Sequence, residues 1–322
     1  MKIGIRFLSL IALCAAPLSG HADNYPSRPI TMIVPWQAGG SSDVLMRALA
    51  QAASKKLGQP IIIDNRPGAI GTLGLAAMAA TAKPDGYTIG QSGVGLFRMP
   101  LIQKTSWDPE KDFTYIANLV GFTMGIAAGA QTPYKSWADV VAAAKKNPGK
   151  ISYGSPGQNG TVHLGMEQVL ALAGIDLLHV PYKSTPDSSA ALLGGVTQLQ
   201  VDAAGWKANV DSGKARLLVV WTEKRAKRWP DVPTLKELGY PLVIDGASGI
   251  AGPKGMDPMV VTKLNDAFRA ALDDPAVQRV MSEFEIFPNY MGPDEYRKYL
   301  IRSRNDERKV LDRLGILRAD LK

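Results

Sequence analysis

Two short segments of this chain carry the residue types that hold a small anion. The first is Pro35-Trp36-Gln37-Ala38-Gly39-Gly40-Ser41-Ser42-Asp43. Gly39 and Gly40 permit close backbone approach and positive φ, Ser41, Ser42 or Asp43 can cap a following helix, and Trp36 offers an apolar wall or a ring face. No lysine follows in P-loop spacing, so free N–H groups here suit a carboxylate better than a phosphate cradle. The second segment, Gly154-Ser155-Pro156-Gly157-Gln158-Asn159-Gly160-Thr161-Val162-His163, reads as a backbone nest with hydroxyl and amide donors from Ser155, Asn159 and Thr161 around Gly160. The plainer reading of each is an ordinary capped turn, with Trp36 in the core and His163 a structural histidine at a helix start.

Other candidates are weaker. Gln91 and Ser92 end a strand and can add donors to the same crevice, but Gly93 directly after Ser92 breaks the G-x-S-x-G order of a nucleophile elbow. The glycines of Gly68 to Gly74 have the wrong spacing for a dinucleotide turn. Asp202, after the run QLQV, can cap the next helix or accept from a ligand amine or water. His163 and Glu167 lie one helical turn apart, a single pair that falls short of a zinc site. No base is held against a nucleophile by a third group, and no two carboxylates flank a common bond. Binding without turnover is the expectation: no enzyme, no metal, no cofactor.

The elements that position these segments follow from apolar spacing. Strands are expected at Ile30–Pro35, Ile61–Asp64 and Tyr87–Gln91, with helices from the first glycine turn to Leu57 and over Thr72–Thr81. A second series places a helix at Ser136–Lys145, a strand at Ile151–Tyr153, a helix at His163–Ala173 and a strand at Leu178–Tyr182. A helix closing at Leu193 and strands at Leu199–Val201 and Arg216–Thr222 follow. This rhythm of strand, glycine turn and helix predicts mostly parallel sheets. Beyond Ala251–Pro253 the chain reads as helical, over Pro258–Leu272, Pro275–Glu283 and Pro293–Leu314, each with proline in the first turn. The predicted fold is two α/β lobes joined by at least two crossings. Strand ends and helix N-termini of both lobes then face a central cleft.

Length and composition agree. The chain has 322 residues, 46 % hydrophobic and 20 % charged, enough for two cores. Lys2 and Arg6, the apolar run from Phe7, and small residues Gly20 and Ala22 form an export signal over residues 1–22, cleaved near Ala22. That leader contains Cys14, the sole cysteine, so the mature chain has neither disulfides nor a thiolate nucleophile. No later run is long and apolar enough to span a membrane. The formal charge of +8 lies in short basic faces at Lys224–Trp229 and Arg297–Arg308, without the patterns of nucleic-acid modules.

These residues resemble one family throughout Tyr25–Lys322: the extracytoplasmic solute-binding proteins of tripartite tricarboxylate transporters, of the Bordetella-uptake-gene type. YPSRPITMIVPWQAGGSSD, GQPIIIDNRPGAIGTLG with PDGYT, YGSPGQNGTVHL, VPYKSTPDSSAALLGGVTQLQVD and SGKARLLVVWTEKRAKRWPDVPTLKELGYP match its blocks in order. The resemblance implies an α/β, two-lobed periplasmic-binding-protein (Venus flytrap) fold. It divides the chain into a first lobe over 23–125 plus 230–322, with the C-terminal helices packing back, and an inserted lobe over 126–229. It implies that Trp36 through Asp43, with Gly39, Gly40, Ser41 and Ser42, and then Gln91 and Ser92, line the first lobe. Ser155, Asn159, Gly160 and Thr161 come from the second, with Asp202 near the variable end of a di-, tri- or aromatic carboxylate. The implied setting is the periplasm, as a monomer that delivers its ligand to one large and one small membrane subunit. A ligand-responsive sensor acting on a membrane kinase is the alternative, and an exported hydrolase or transferase a more distant one. The sequence departs from the family pattern at Trp36, where phenylalanine is usual, at Ser184 in place of glycine, and at Ala247, where tryptophan is frequent. One wall of the pocket is thereby enlarged and the other reduced.

Overall fold

The computed structural model describes residues 25–321, so the export signal expected over residues 1–22 lies outside the described residues. The chain first lays down β1 (Ile30–Val34), α1 (Ser41–Leu57), β2 (Ile61–Asn65), α2 (Leu73–Thr81), β3 (Thr88–Gly93), α3 (Gly95–Ile102) and β4 (Phe113–Phe122). It crosses into β5 (Met124–Gly129), α4 (Trp137–Lys146), β6 (Ser152–Pro156), α5 (Thr161–Ala173), β7 (Leu178–Tyr182), α6 (Thr185–Leu193), β8 (Leu199–Ala203), α7 (Lys207–Asp211) and β9 (Ala215–Val220). It then returns through β10 (Ser248–Pro253), α8 (Pro258–Ala271), α9 (Pro275–Glu283), β11 (Ile286–Met291) and α10 (Pro293–Arg313).

Two sheets result, with strand orders β11-β4-β10-β3-β1-β2 and β7-β6-β8-β5-β9. Each is half what the sequence predicted. The strands made by strand–helix units pair in parallel: β1 with β2 and β3, and β6 with β7 and β8. The crossing strands break that pattern. β4 and β5 form one run interrupted only at Thr123, and β10 brings the chain back, so β10 pairs antiparallel with β3 and β4, and β5 with β8 and β9. β11 also adds antiparallel to β4, between the two expected helices Pro275–Glu283 and Pro293–Leu314, where no strand was expected. A chain that passes between lobes enters each sheet from the opposite end, and that reverses its direction relative to the strand–helix units.

Each sheet is covered on both faces. Along β1, Met32 and Val34 point into a core with Leu45, Leu49, Leu264, Phe268 and Val277 of α1, α8 and α9. Ile33 points the other way, into Leu75, Phe97, Tyr296 and Leu300 of α2, α3 and α10. This is the two-residue alternation of a strand buried on both faces. The second sheet packs Trp137, Val140, Met166 and Val169 on one face and Leu192, Trp206 and Val220 on the other. The lobes also touch each other: Leu164 of α5 packs with Leu101 of α3 and Val310 and Leu311 of α10.

Candidate functional site

Both glycine turns stand where a strand hands over to a helix, and both helices start alike. α1 has Gly40 and α5 has Gly160 as N-cap, in extended conformation and with no side chain capping the first turn. A helix start leaves its first N–H groups without intrahelical partners; four other helices of this chain meet them with side chains, while α2, α3 and α7, which start at Thr72, Val94 and Trp206, do not. Ser136 caps α4, Ser184 caps α6, Asp257 caps α8 and Asp274 caps α9. α10 also begins at a glycine, but Asp294 and Glu295 occupy its first turn.

In the first turn Trp36, Gly39 and Gly40 are exposed and Ser41 and Ser42 half-buried. Trp36 is 42 % exposed, outside the core, with its ring edge against Gly71, where a Cβ would lie 3.1 Å away. Asp43 is buried and committed to the loop itself. It accepts from Gly39 N–H at 2.9 Å, Arg47 Nε at 3.0 Å and Asn65 Nδ2 at 2.8 Å. Burial alone would raise its pKa, but Arg47, Gly39 and Asn65 outweigh that and hold the carboxyl below its usual range. Asn65 also donates to the Trp36 carbonyl at 3.0 Å. The carboxylate thus fixes the loop through the Gly39 N–H instead of capping the helix, whose first turn is left without a side-chain cap.

Gln91 and Ser92 are buried at the end of β3. Gln91 Nε2 donates to Ser248 Oγ at 2.9 Å, and Ser92 Oγ lies 3.1 Å from the Tyr296 hydroxyl, which donates to the Ser92 carbonyl at 2.9 Å. Both side chains lace β3 to β10 and α10. Gln91 Oε1 is buried with no partner among the described residues.

The second turn rests on two histidines. Ser155 Oγ is 2.8 Å from His179 Nε2, and the Asn159 N–H donates to His163 Nδ1 at 3.2 Å, with Asn159 in the left-handed region at φ 60°. The His163 and His179 rings stack with centroids 4.0 Å apart, and Tyr153 stacks on His179 at 4.8 Å. Burial, then the Arg98 charge, lowers the His163 pKa; burial, then His163, brings His179 down to about 4. Both rings are neutral near pH 7, and His163, accepting at Nδ1, carries its proton on Nε2, 3.9 Å from Glu167. Asp202 is buried beneath, in β8. It accepts from its neighbour Ala203 N–H at 2.7 Å, and burial pushes its carboxyl up to about 6 despite hydrogen bonds from Thr185, Ala203 and Gln200. Its side chain therefore does not cap the next helix, and it takes up its proton already as pH falls through about 6.

Arg98, Glu307 and His179 join the site without having been singled out in the sequence. Arg98, on α3 of the first lobe, is 1 % exposed. Its Nε donates to Glu307 at 2.9 Å and its Nη2 to the other Glu307 oxygen. The guanidinium also reaches the second lobe, donating to Thr161 Oγ1 at 3.0 Å and to the Asn159 carbonyl at 3.4 Å. The signals were present: Arg98 is the one charge in the apolar run GLFRMPLI, and Glu307 falls on the apolar face of α10, spaced with Leu300 and Leu311. A contact chain now links the turns. Trp36 meets Gly71, the Ile70 carbonyl sits 3.1 Å from the Cβ position of Gly95 at the start of α3, and Arg98 of α3 holds Asn159 and Thr161.

Among the described residues no group of three or more His, Cys, Asp or Glu could hold a metal ion. A concavity of about 580 Å³ opens between Trp107, Lys104, Arg304, Arg308 and Arg318. It includes none of the turn residues, and Arg304 and Arg318 are paired with Glu110 and Asp320.

Comparison with known proteins agrees with this architecture. The family described as the tripartite tricarboxylate transporter family receptor, TctC, matches residues 45–316. A Cupriavidus necator protein, "UPF0065 protein in gbd 5'region", is 43 % identical over 309 residues, covering 96 % of this chain and 94 % of that one. A TctC solute-binding protein from Polaromonas, solved with no ligand, is 31 % identical with a TM-score of 0.79, over 90 % of this chain and 99 % of that one. An R. palustris protein solved with adipate is 27 % identical, TM-score 0.79, over 91 % and 99 % of the two chains. MatC from Rhodopseudomonas palustris, with bound malate, is 26 % identical, TM-score 0.74, over 89 % and 100 %. The chain belongs to the tripartite tricarboxylate transporter receptor family, as a periplasmic solute-binding receptor and not an enzyme.

Proposed function

We propose that this receptor captures an organic carboxylate between its lobes and hands it to the membrane subunits of a tripartite tricarboxylate transporter. The observation that carries this reading is the pair of uncapped glycine helix starts at Gly40 and Gly160, in a chain that caps four other helices with side chains. Unpaired N–H groups and the positive end of a helix dipole favour a carboxylate there. Gly40, Ser41 and Ser42 offer donors from one lobe, on a loop that Asp43 fixes through the Gly39 N–H, and Ser155, Asn159, Gly160 and Thr161 offer donors from the other. Two receptors of this fold carry adipate and malate, both dicarboxylates. The half-exposed Trp36 ring supplies an apolar surface for the ligand body, which favours a bulky or aromatic carboxylate. A ligand bound by both lobes binds the closed form more tightly and shifts the hinge equilibrium toward it; the closed form is what the membrane partner recognises. The hinge strands are β4–β5 at Thr123 and the return from Trp221 to Ala247, which meet where Trp221 N–H donates to the Met124 carbonyl at 2.9 Å.

Calorimetry and thermal shift against aliphatic di- and tricarboxylates, aromatic carboxylates and their amides test this reading. One carboxylate per chain is expected, with the matching amide bound far more weakly. A protein that ignores every carboxylate and binds a neutral sugar tightly has another function.

A further inference from the structure

We propose that Arg98 is a positioning residue for carboxylate capture, acting on the ligand through the Thr161 hydroxyl. A threonine hydroxyl has one proton and two lone pairs. Arg98 Nη2 donates to Thr161 Oγ1 at 3.0 Å, which occupies a lone pair with a cationic donor and turns the hydroxyl proton away from the guanidinium. Thr161 makes no other side-chain hydrogen bond among the described residues, and it is half-buried at the first position of α5. Its proton is therefore available to a ligand as a donor, polarised by the charge behind it. This assignment rests on the carboxylate reading given above.

Arg98 also couples the lobes. Its anchor, Glu307, lies on α10 of the first lobe, whereas Thr161 and the Asn159 carbonyl lie on the second. Asn159 is pinned at both ends, its carbonyl by Arg98 and its N–H by His163, and so holds a left-handed conformation that non-glycine residues rarely adopt. The second turn is thus shaped partly from across the lobe boundary. The pair is buried, so Glu307 neutralises most of the field that Arg98 would otherwise present to an incoming anion. Arginine is required here because the planar fork meets Glu307, Thr161 and Asn159 at once; a lysine ammonium cannot span all three.

A double-mutant cycle read by calorimetry with adipate tests the proposal. Arg98→Lys and Thr161→Val should each weaken binding by about tenfold, and the double variant should be little weaker than either single one. Glu307→Gln, which keeps the shape and removes the opposing charge, should tighten binding severalfold, an effect that a purely structural pair would not produce. Losses that multiply in the double variant, or a Glu307→Gln protein weakened like Arg98→Lys, overturn the proposal. If wild type binds adipate and every other carboxylate equally poorly, the carboxylate reading fails separately. The positioning role is then read without ligand, by hydrogen exchange of the amides of residues 157–163. Arg98→Lys should accelerate exchange there relative to α4, and unchanged exchange overturns it.

Discussion

Asp202→Asn is expected to stabilise the protein by about 3 kcal/mol at pH 8 and by almost nothing near pH 4. Asp202 is 4 % exposed, and burial pushes its carboxyl up to about 6, against about 4 in an unfolded chain. Between those values the native protein keeps a proton that the unfolded chain has released, so this group's contribution to stability falls as pH rises. Above pH 6 the loss is complete: a hundredfold difference in proton affinity, at about 1.4 kcal/mol per tenfold, is about 3 kcal/mol. Asparagine mimics the protonated acid and escapes the loss, apart from whatever its amide suffers against Gln200 Nε2, 3.4 Å from the present Oδ2. The wild-type profile alone would mislead, because His179, held down to about 4, slopes the other way. For that ring the unfolded chain binds the extra proton, so its contribution rises with pH between about 4 and 6.5. The assay is therefore urea unfolding of both proteins at pH 4, 5, 6 and 8, read as their difference. A difference that is the same at every pH, or that shrinks toward pH 8, refutes the buried-carboxylate account.

Three other outcomes are expected. Ser155→Ala removes the hydroxyl beside His179 and should weaken carboxylate binding about fivefold by calorimetry; an unchanged Kd excludes that hydroxyl from the site. Trp36→Ala should weaken an aromatic carboxylate about tenfold and a short aliphatic dicarboxylate much less; no loss for either would show that the ring packs on no ligand, and equal losses that it does not select for an aromatic one. Gly165→Ala lies inside α5, where alanine normally gains about 1 kcal/mol over glycine. Here its Cβ would sit 2.6 Å from the Trp221 ring and 2.8 Å from Ile244 Cδ1, so a net loss of about 1–3 kcal/mol is expected in chemical denaturation.

Much of the fold was legible because its signals are local. α9 begins at Pro275 and ends at Glu283 as the sequence predicted, and β7 spans Leu178–Tyr182 as expected. Proline in the first turn, glycine after the last and two-residue alternation act within a few residues. The elements that escaped were α3, β4, β5, α7, β10 and β11. β4 and β5 are buried almost throughout, and a run that is apolar on both faces shows no alternation by which to recognise it. The reversed direction of β5 and β10 follows from where the chain crosses, a long-range fact that no local window contains.

The same division runs through the site. Composition and spacing alone determined the two glycine turns before α1 and α5, because backbone freedom is a property of those few residues; that Ser41, Ser42 and Asp43 leave α1 uncapped was decided by the folded structure. Tertiary structure decided what surrounds them. Asp43 faces inward to Arg47 and Asn65, Asp202 is enclosed and its carboxyl pushed up to about 6, and Arg98 meets Thr161 across 63 residues of sequence. Charges act through space, and in a buried interior their effect depends on which partner lies within about 3 Å; only the folded chain specifies that distance.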